Sequence, residues 1–96
     1  MTIVWDTPAM TAFKKQILHI AEDSDKNAEH VRKGILSLID QLPENPKKFP
    51  SDKFKAENDG SFRAFEKYSL RIAYFVGEGQ IRILRVRHVK QEPKSY

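Results

Sequence analysis

The sequence predicts an α+β domain of order β-α-α-β-β-β, a helical hairpin packed on one face of a small, mainly antiparallel sheet. Two consecutive amphipathic stripes lie between residues 7 and 42, and three strand-like runs follow residue 60, the last two joined by a glycine-framed turn. The length of 96 residues encloses one modest core, so the span 1–96 is read as one domain.

The β-branched and aromatic run Thr2-Ile3-Val4-Trp5 suits an opening strand. Asp6-Thr7-Pro8 punctuates it: Thr7 is a candidate N-cap, and Pro8 fits a first helical turn, where the missing N–H costs nothing. Met10, Phe13, Ile17, Ile20 and Ala21 recur at helical spacing, and this helix ends near Ala21 to Asp23. Ser24 or Asp25 caps a second helix, whose apolar positions Ala28, Val31, Ile35, Leu38 and Leu42 alternate by three and four until Pro43 and Pro46 stop it. Gly34 either lets the two helices approach closely or is an ordinary surface glycine; the local pattern leaves both open. Lys47 to Gly60 is polar, with only Phe49, Phe54 and Ala56 apolar, and reads as a connecting loop. Strands are expected at Phe62 to Glu66, Leu70 to Val76 and Gln80 to His88, with Gly77-Glu78-Gly79 as a tight hairpin link and Gln91 to Tyr96 as a polar tail.

Apolar residues make up 40% of the chain and charged residues 31%, which excludes a wholly disordered polypeptide. No apolar run approaches the roughly 20 residues that cross a bilayer, and the first residues lack the pattern of a signal peptide, so a cytoplasmic protein without membrane contact is expected. Cysteine is absent, which excludes disulfides, thiolate metal sites and a cysteine nucleophile. Charge is unevenly spread. Residues 1–46 carry five Lys and Arg against seven Asp and Glu, whereas residues 47–96 carry twelve against six. A C-terminal half this basic points to a polyanion or an acidic protein partner.

The register of the last hairpin decides which side chains share a face. A two-residue turn at Glu78-Gly79 pairs Gly77 with Gln80, puts Leu70, Ile72, Tyr74, Val76, Ile81 and Ile83 on the core face, and leaves Arg71, Arg82 and His88 outside. A three-residue turn joins Arg71 to Arg85 and Arg87 instead and moves His88 to the other face. Apolar counts do not separate the two. Either way arginines stand beside apolar residues on an uncovered sheet face, as RNA recognition requires: guanidinium forks grip phosphates and flat groups contact bases.

His19 and His30 fall on the polar sides of their helices and read as surface residues, and no spacing fits a metal site, so no metal or cofactor is expected. His88, at a strand end beside Arg87 and near Lys90, has the chemistry of a proton donor or acceptor near neutral pH. There is no glycine-rich phosphate loop and no Gly-x-Ser-x-Gly elbow.

The string Tyr68-Ser69-Leu70-Arg71-Ile72-Ala73-Tyr74-Phe75-Val76, a short turn, then Ile81-Arg82-Ile83-Leu84-Arg85-Val86-Arg87-His88 resembles the paired C-terminal strands of RelE/ParE toxins. The opening strand, the Asp25 to Leu42 helix with its trailing Pro43-Glu44-Asn45-Pro46, and the Phe62-Arg63 strand start agree in order and spacing. The resemblance covers essentially the whole chain and implies the toxin of a type II toxin–antitoxin (plasmid stabilisation) pair. Its partner would be a cognate antitoxin, through which alone it would meet operator DNA.

Two activities occur in that superfamily: RelE-like members cleave mRNA on the ribosome, and ParE-like members inhibit DNA gyrase without hydrolysis. By resemblance, Arg71 matches the strand arginine that holds the scissile phosphate, and Arg63 falls within one residue of a nuclease lysine. Lys90 and Tyr96 stand where a basic residue and a functional tyrosine occur. His88 matches the catalytic histidine of the YoeB-like branch, and Asp52 lies near that branch's loop carboxylate. Lys53, Lys55, Arg82, Arg85 and Arg87 would complete an RNA-binding face. Phe65 and Val89 depart from the nuclease pattern, the first standing near a nuclease lysine and the second replacing a tyrosine. On the cleavage reading the ribose 2′-OH attacks the neighbouring phosphate, Arg63, Arg71 and Lys90 stabilise the growing charge, and His88 or Tyr96 moves the protons. The basic C-terminal half, Lys90 and Tyr96 favour ribosome-dependent mRNA cleavage. Gyrase inhibition is the alternative, and a non-toxic antitoxin-binding relative a third.

Overall fold

The computed structural model of the chain describes residues 1–91 and 94–96. Of the expected polar tail, Glu92 and Pro93 lie outside the described residues. The elements are β1 (Thr2–Trp5), α1 (Thr7–Asp23), α2 (Asp25–Asp40), β2 (Phe62–Lys67), β3 (Leu70–Val76) and β4 (Gln80–His88). They form one four-stranded sheet of order β1-β4-β3-β2, in which β1 runs parallel to β4 and the other neighbours are antiparallel. Both helices cover the same sheet face, and the α+β hairpin-on-sheet architecture expected from the sequence is the architecture found. Among the described residues no helix is long and apolar enough to cross a membrane.

Ser24 closes α1 and caps α2: its hydroxyl accepts from the Asn27 N–H at 3.0 Å. Thr7 is not the cap of α1. The helix begins at Thr7, and Asp6 stands at the N-cap position without a side-chain cap bond, because its carboxylate is drawn to the Arg82 guanidinium at 2.6 Å. In α1 only Ala9 and Phe13 are fully buried; Ile17 and Ile20 are half-covered as the helix runs toward the end of the sheet. In α2 the buried positions are Ala28, Val31, Ile35 and Ile39, with Leu42 just beyond. Ile39 therefore replaces Leu38 as the core residue of the fourth turn.

Gly34 serves neither of its two expected purposes. A Cβ there would stand 2.6 Å from the Tyr68 ring, so the glycine makes room for a side chain from the β2–β3 turn. Tyr68 and Ser69 both take positive φ angles, 53° and 64°, as a tight two-residue hairpin turn demands. Gly34→Ala is expected to stabilise a Tyr68→Ala chain by about 1 kcal/mol through helix propensity, and to give less than that, or a loss, when the ring must move. Denaturant midpoints of the two single variants and the double variant measure this coupling.

The hairpin resolves both register alternatives by using each in turn. Near the turn, Gly77 N–H donates to Gln80 at 2.9 Å, and Val76, Phe75 and Tyr74 pair with Ile81, Arg82 and Ile83. A bulge at Leu84 then shifts the frame, so Ala73, Arg71 and Leu70 face Arg85, Arg87 and His88. The physical reason is inward patterning on both halves. Without the extra residue Val86 would point to solvent and Arg85 and Arg87 into the core; with it, Val86 is 7% exposed and the two arginines lie outside. His88 falls by register on the helix side.

Candidate functional site

Among the described residues the outer sheet face carries no helix, and its centre is a carboxylate. Residues 50–52 pair with the edge of β2: the Asp52 N–H donates to Phe62 at 2.8 Å, and Ser51 bridges Arg63. The chain then turns because Asp52 Oδ1 accepts the Phe54 N–H at 3.0 Å, an Asx turn. This delivers the Asp52 side chain, 1% exposed, to the middle of the outer face.

Arg71 projects from β3 into the same spot. Its Nη2 donates to Asp52 Oδ1 at 2.8 Å, its Nη1 donates to Glu66 Oε2 at 2.8 Å, and its guanidinium carbon lies 4.8 Å from the Phe54 ring centroid. The other Asp52 oxygen accepts the Tyr96 hydroxyl at 2.7 Å. Burial by itself would raise the Asp52 carboxyl pKa, but Tyr96, Arg71 and the Phe54 N–H outweigh it and hold the group below its ordinary value. Tyr96 responds in the opposite sense: burial first, then the hydrogen bond to the carboxylate, pushes its phenol well above the ordinary tyrosine range.

These two directions set a pH window. Asp52 is depressed, so its stabilisation is complete above the unfolded carboxyl value of about 4 and is lost as pH falls through the lower folded value. Tyr96 is raised, so its stabilisation is complete below about 10 and is lost as pH climbs toward the higher folded value. The Tyr96 amide is expected to be protected from hydrogen exchange across the neutral range and to lose protection at both extremes. Tyr96→Phe should remove most of the alkaline dependence, while Asp52 still pairs with Arg71 and keeps the acid limb of global stability.

The sequence-predicted site residues separate into groups. Arg71, Arg87, His88 and Lys53 border one hollow of about 170 Å³, together with Phe54 and Glu66. Tyr96 and Arg85 belong to the neighbouring patch: Arg85 stacks 4.4 Å from the Tyr96 ring centroid, and Lys55 lies 4.7 Å from Phe62 and 5.5 Å from Tyr96. Burial first, then the charges of Arg85 and Arg71, lowers the Arg87 pKa.

Lys90 opens instead onto a wider groove of about 470 Å³ against α1, with Lys15, His19 and Glu22. His88 touches both hollows, and its Nδ1 accepts the Lys90 N–H at 3.1 Å. Arg82 sits apart at the β1 side, paired with Asp6. Arg63 does not join the outer face at all. Its register partner is the buried Tyr74, and its guanidinium clamps the carbonyls of Gly60, Phe49 and Lys47 at 2.9, 2.7 and 3.3 Å, fastening the loop to the sheet edge.

Glu66 and Phe54 complete the environment of Arg71 but had no signal in the sequence. Asp52 stood out there only through the superfamily resemblance, because nothing local links residues nineteen apart.

The family model for the ParE toxin of the type II toxin–antitoxin system, parDE, matches residues 3–93. Among solved structures, a chain of the chromosomal ParDE system from P. aeruginosa shares the fold at a TM-score of 0.71 and 16% identity, covering 92% of this chain and 95% of that one. No curated protein matches the sequence. With the family model matched from β1 to beyond β4, across the whole hairpin-and-sheet frame, the chain belongs to the ParE toxin family of type II toxin–antitoxin systems.

Proposed function

We propose that this toxin acts by binding DNA gyrase and blocking it without catalysis, and that a cognate antitoxin neutralises it in the cytoplasm. Membership of the ParE family favours this activity over the RelE-like one. The single observation that carries the choice is the double carboxylate grip on Arg71. Arg71, the arginine that the resemblance assigns to a scissile phosphate, already bridges Asp52 and Glu66, at 2.8 Å each. A phosphate would have to compete with the half-exposed Glu66 while the buried Asp52 keeps its hold on the other nitrogen, and two negative charges beside the guanidinium oppose the stabilisation an RNA-cleaving site must supply.

The remaining groups point the same way. Tyr96 spends its hydroxyl on Asp52, and a phenol with a raised pKa is a poorer proton donor and is rarely available as a base near neutral pH. Lys90 faces a different groove from Arg71. Binding, by contrast, asks only for a rigid, positively charged surface, and the outer face supplies one.

The test is a pair of reactions with the purified protein. Gyrase supercoiling is expected to fall as the toxin is titrated in, while primer extension on mRNA from a reconstituted translation mixture finds intact message. Cuts in that message that vanish with Arg71→Ala, with supercoiling unaffected, would overturn the reading in favour of ribosome-dependent cleavage.

A further inference from the structure

Residues 94–96 lie in a slot on the outer sheet face. The Tyr96 N–H donates to the Phe54 carbonyl at 3.0 Å, and the Tyr96 backbone oxygen accepts the Ala56 N–H at 2.7 Å, so the two bonds straddle Lys55 as those of an added strand would. Arg85 Nη1 donates to the Lys94 carbonyl at 2.8 Å while its guanidinium covers the Tyr96 ring. At the floor, Asp52 takes the phenol hydroxyl.

All these contacts are made to backbone groups, one aromatic ring and one hydroxyl. None depends on the occupant being part of the same chain. The slot therefore recognises an extended peptide bearing a tyrosine, the strand-addition mode of peptide binding. Its rim, however, is cationic, with Lys55 and Arg85, and the segment now in place brings another cation, Lys94. An acidic segment matches this rim better than the resident one.

We propose that the slot between Lys55 and Arg85 is a docking site for an extended, acidic, tyrosine-bearing segment of a partner protein, and that residues 94–96 are its resident, displaceable occupant. A nucleic acid fits less well. The strand-like edge at Phe54 and Ala56 requires peptide donors and acceptors, and the Asp52 carboxylate at the floor repels phosphate. The inference rests on the slot's geometry alone and is independent of how the toxin acts.

Full-length protein carrying Tyr96→Ala is compared with the unaltered chain for binding a fluorescent peptide, Glu-Asp-Ser-Tyr-Glu, by anisotropy. Removing the tethered competitor is expected to tighten binding about tenfold. Replacing the peptide's tyrosine by phenylalanine should weaken it about fivefold, since a buried carboxylate then loses its donor. Adding Arg85→Glu to Tyr96→Ala should abolish binding, as should salt on the order of 0.5 M. Thermal melts check that each variant is folded. If Tyr96→Ala does not fold, Tyr96→Phe, which keeps the ring and removes only the hydroxyl, carries the same comparison with a gain of about threefold. Equal binding by variant and unaltered chain overturns the proposal, as does indifference to the peptide's tyrosine. Tighter binding of an oligonucleotide of equal charge would assign the face to nucleic acid instead.

Discussion

Asp52→Ala is expected to lower the stability of the fold by about 3 kcal/mol. The carboxylate is almost wholly enclosed and accepts from three donors: the Phe54 N–H, the Arg71 guanidinium and the Tyr96 hydroxyl. Its removal leaves two of these donors without their partner and the third, Arg71, with only the half-exposed Glu66. Surface pairs of that kind are worth at most about 1 kcal/mol, so Glu66 cannot compensate. In a domain of this size the loss corresponds to a fall in melting temperature on the order of 15 °C, readable by circular dichroism. Asp52→Asn, which keeps the shape and one acceptor oxygen, should cost about half as much. The effect of Tyr96→Phe should shrink in the Asp52→Ala background, because the two groups act on one another. A loss below about 1 kcal/mol for Asp52→Ala would mean that the carboxylate is a passenger on this face.

Ile39→Ala is expected to cost about 3.5 kcal/mol, and Leu38→Ala, one residue earlier, only about 1 kcal/mol. Ile39 is 1% exposed within the main core cluster, whereas Leu38 is half-covered at its margin. Both are large aliphatic side chains on the same helix, so composition and propensity predict nearly equal costs; only their angle to the sheet separates them. Urea denaturation of the two variants measures the difference directly. Equal losses would mean that α2 is rotated about its axis, with both side chains equally placed against the sheet.

That pair of residues marks how far the sequence could be read. The helices and strands were legible because their apolar periods, 3.6 and 2, are properties of contiguous residues, and β3 and β4 appear at the expected bounds. The outward position of Arg71, Arg85 and Arg87 was legible as one of two alternatives. The bulge at Leu84 was not, since each half of the hairpin satisfies its own pattern and nothing local says where the frame changes. Arg63 shows the limit from the other side. It carries the same charge as its neighbours on the outer face, yet its strand position turns it toward the loop carbonyls of residues 47, 49 and 60.

The amino-acid order by itself determined the element types, the caps near residue 24, the family resemblance and the concentration of positive charge after residue 46. Each of these follows from neighbours along the chain or from composition. Tertiary structure alone decided the rest: which borderline apolar residue enters the core, where the hairpin changes frame, and that Asp52 and Glu66 grip Arg71 while Tyr96 holds the far oxygen of Asp52. Those outcomes depend on distances between residues five to forty-four positions apart. Such contacts are selected by the closing of the whole sheet against its loop, a choice that local periodicity does not encode.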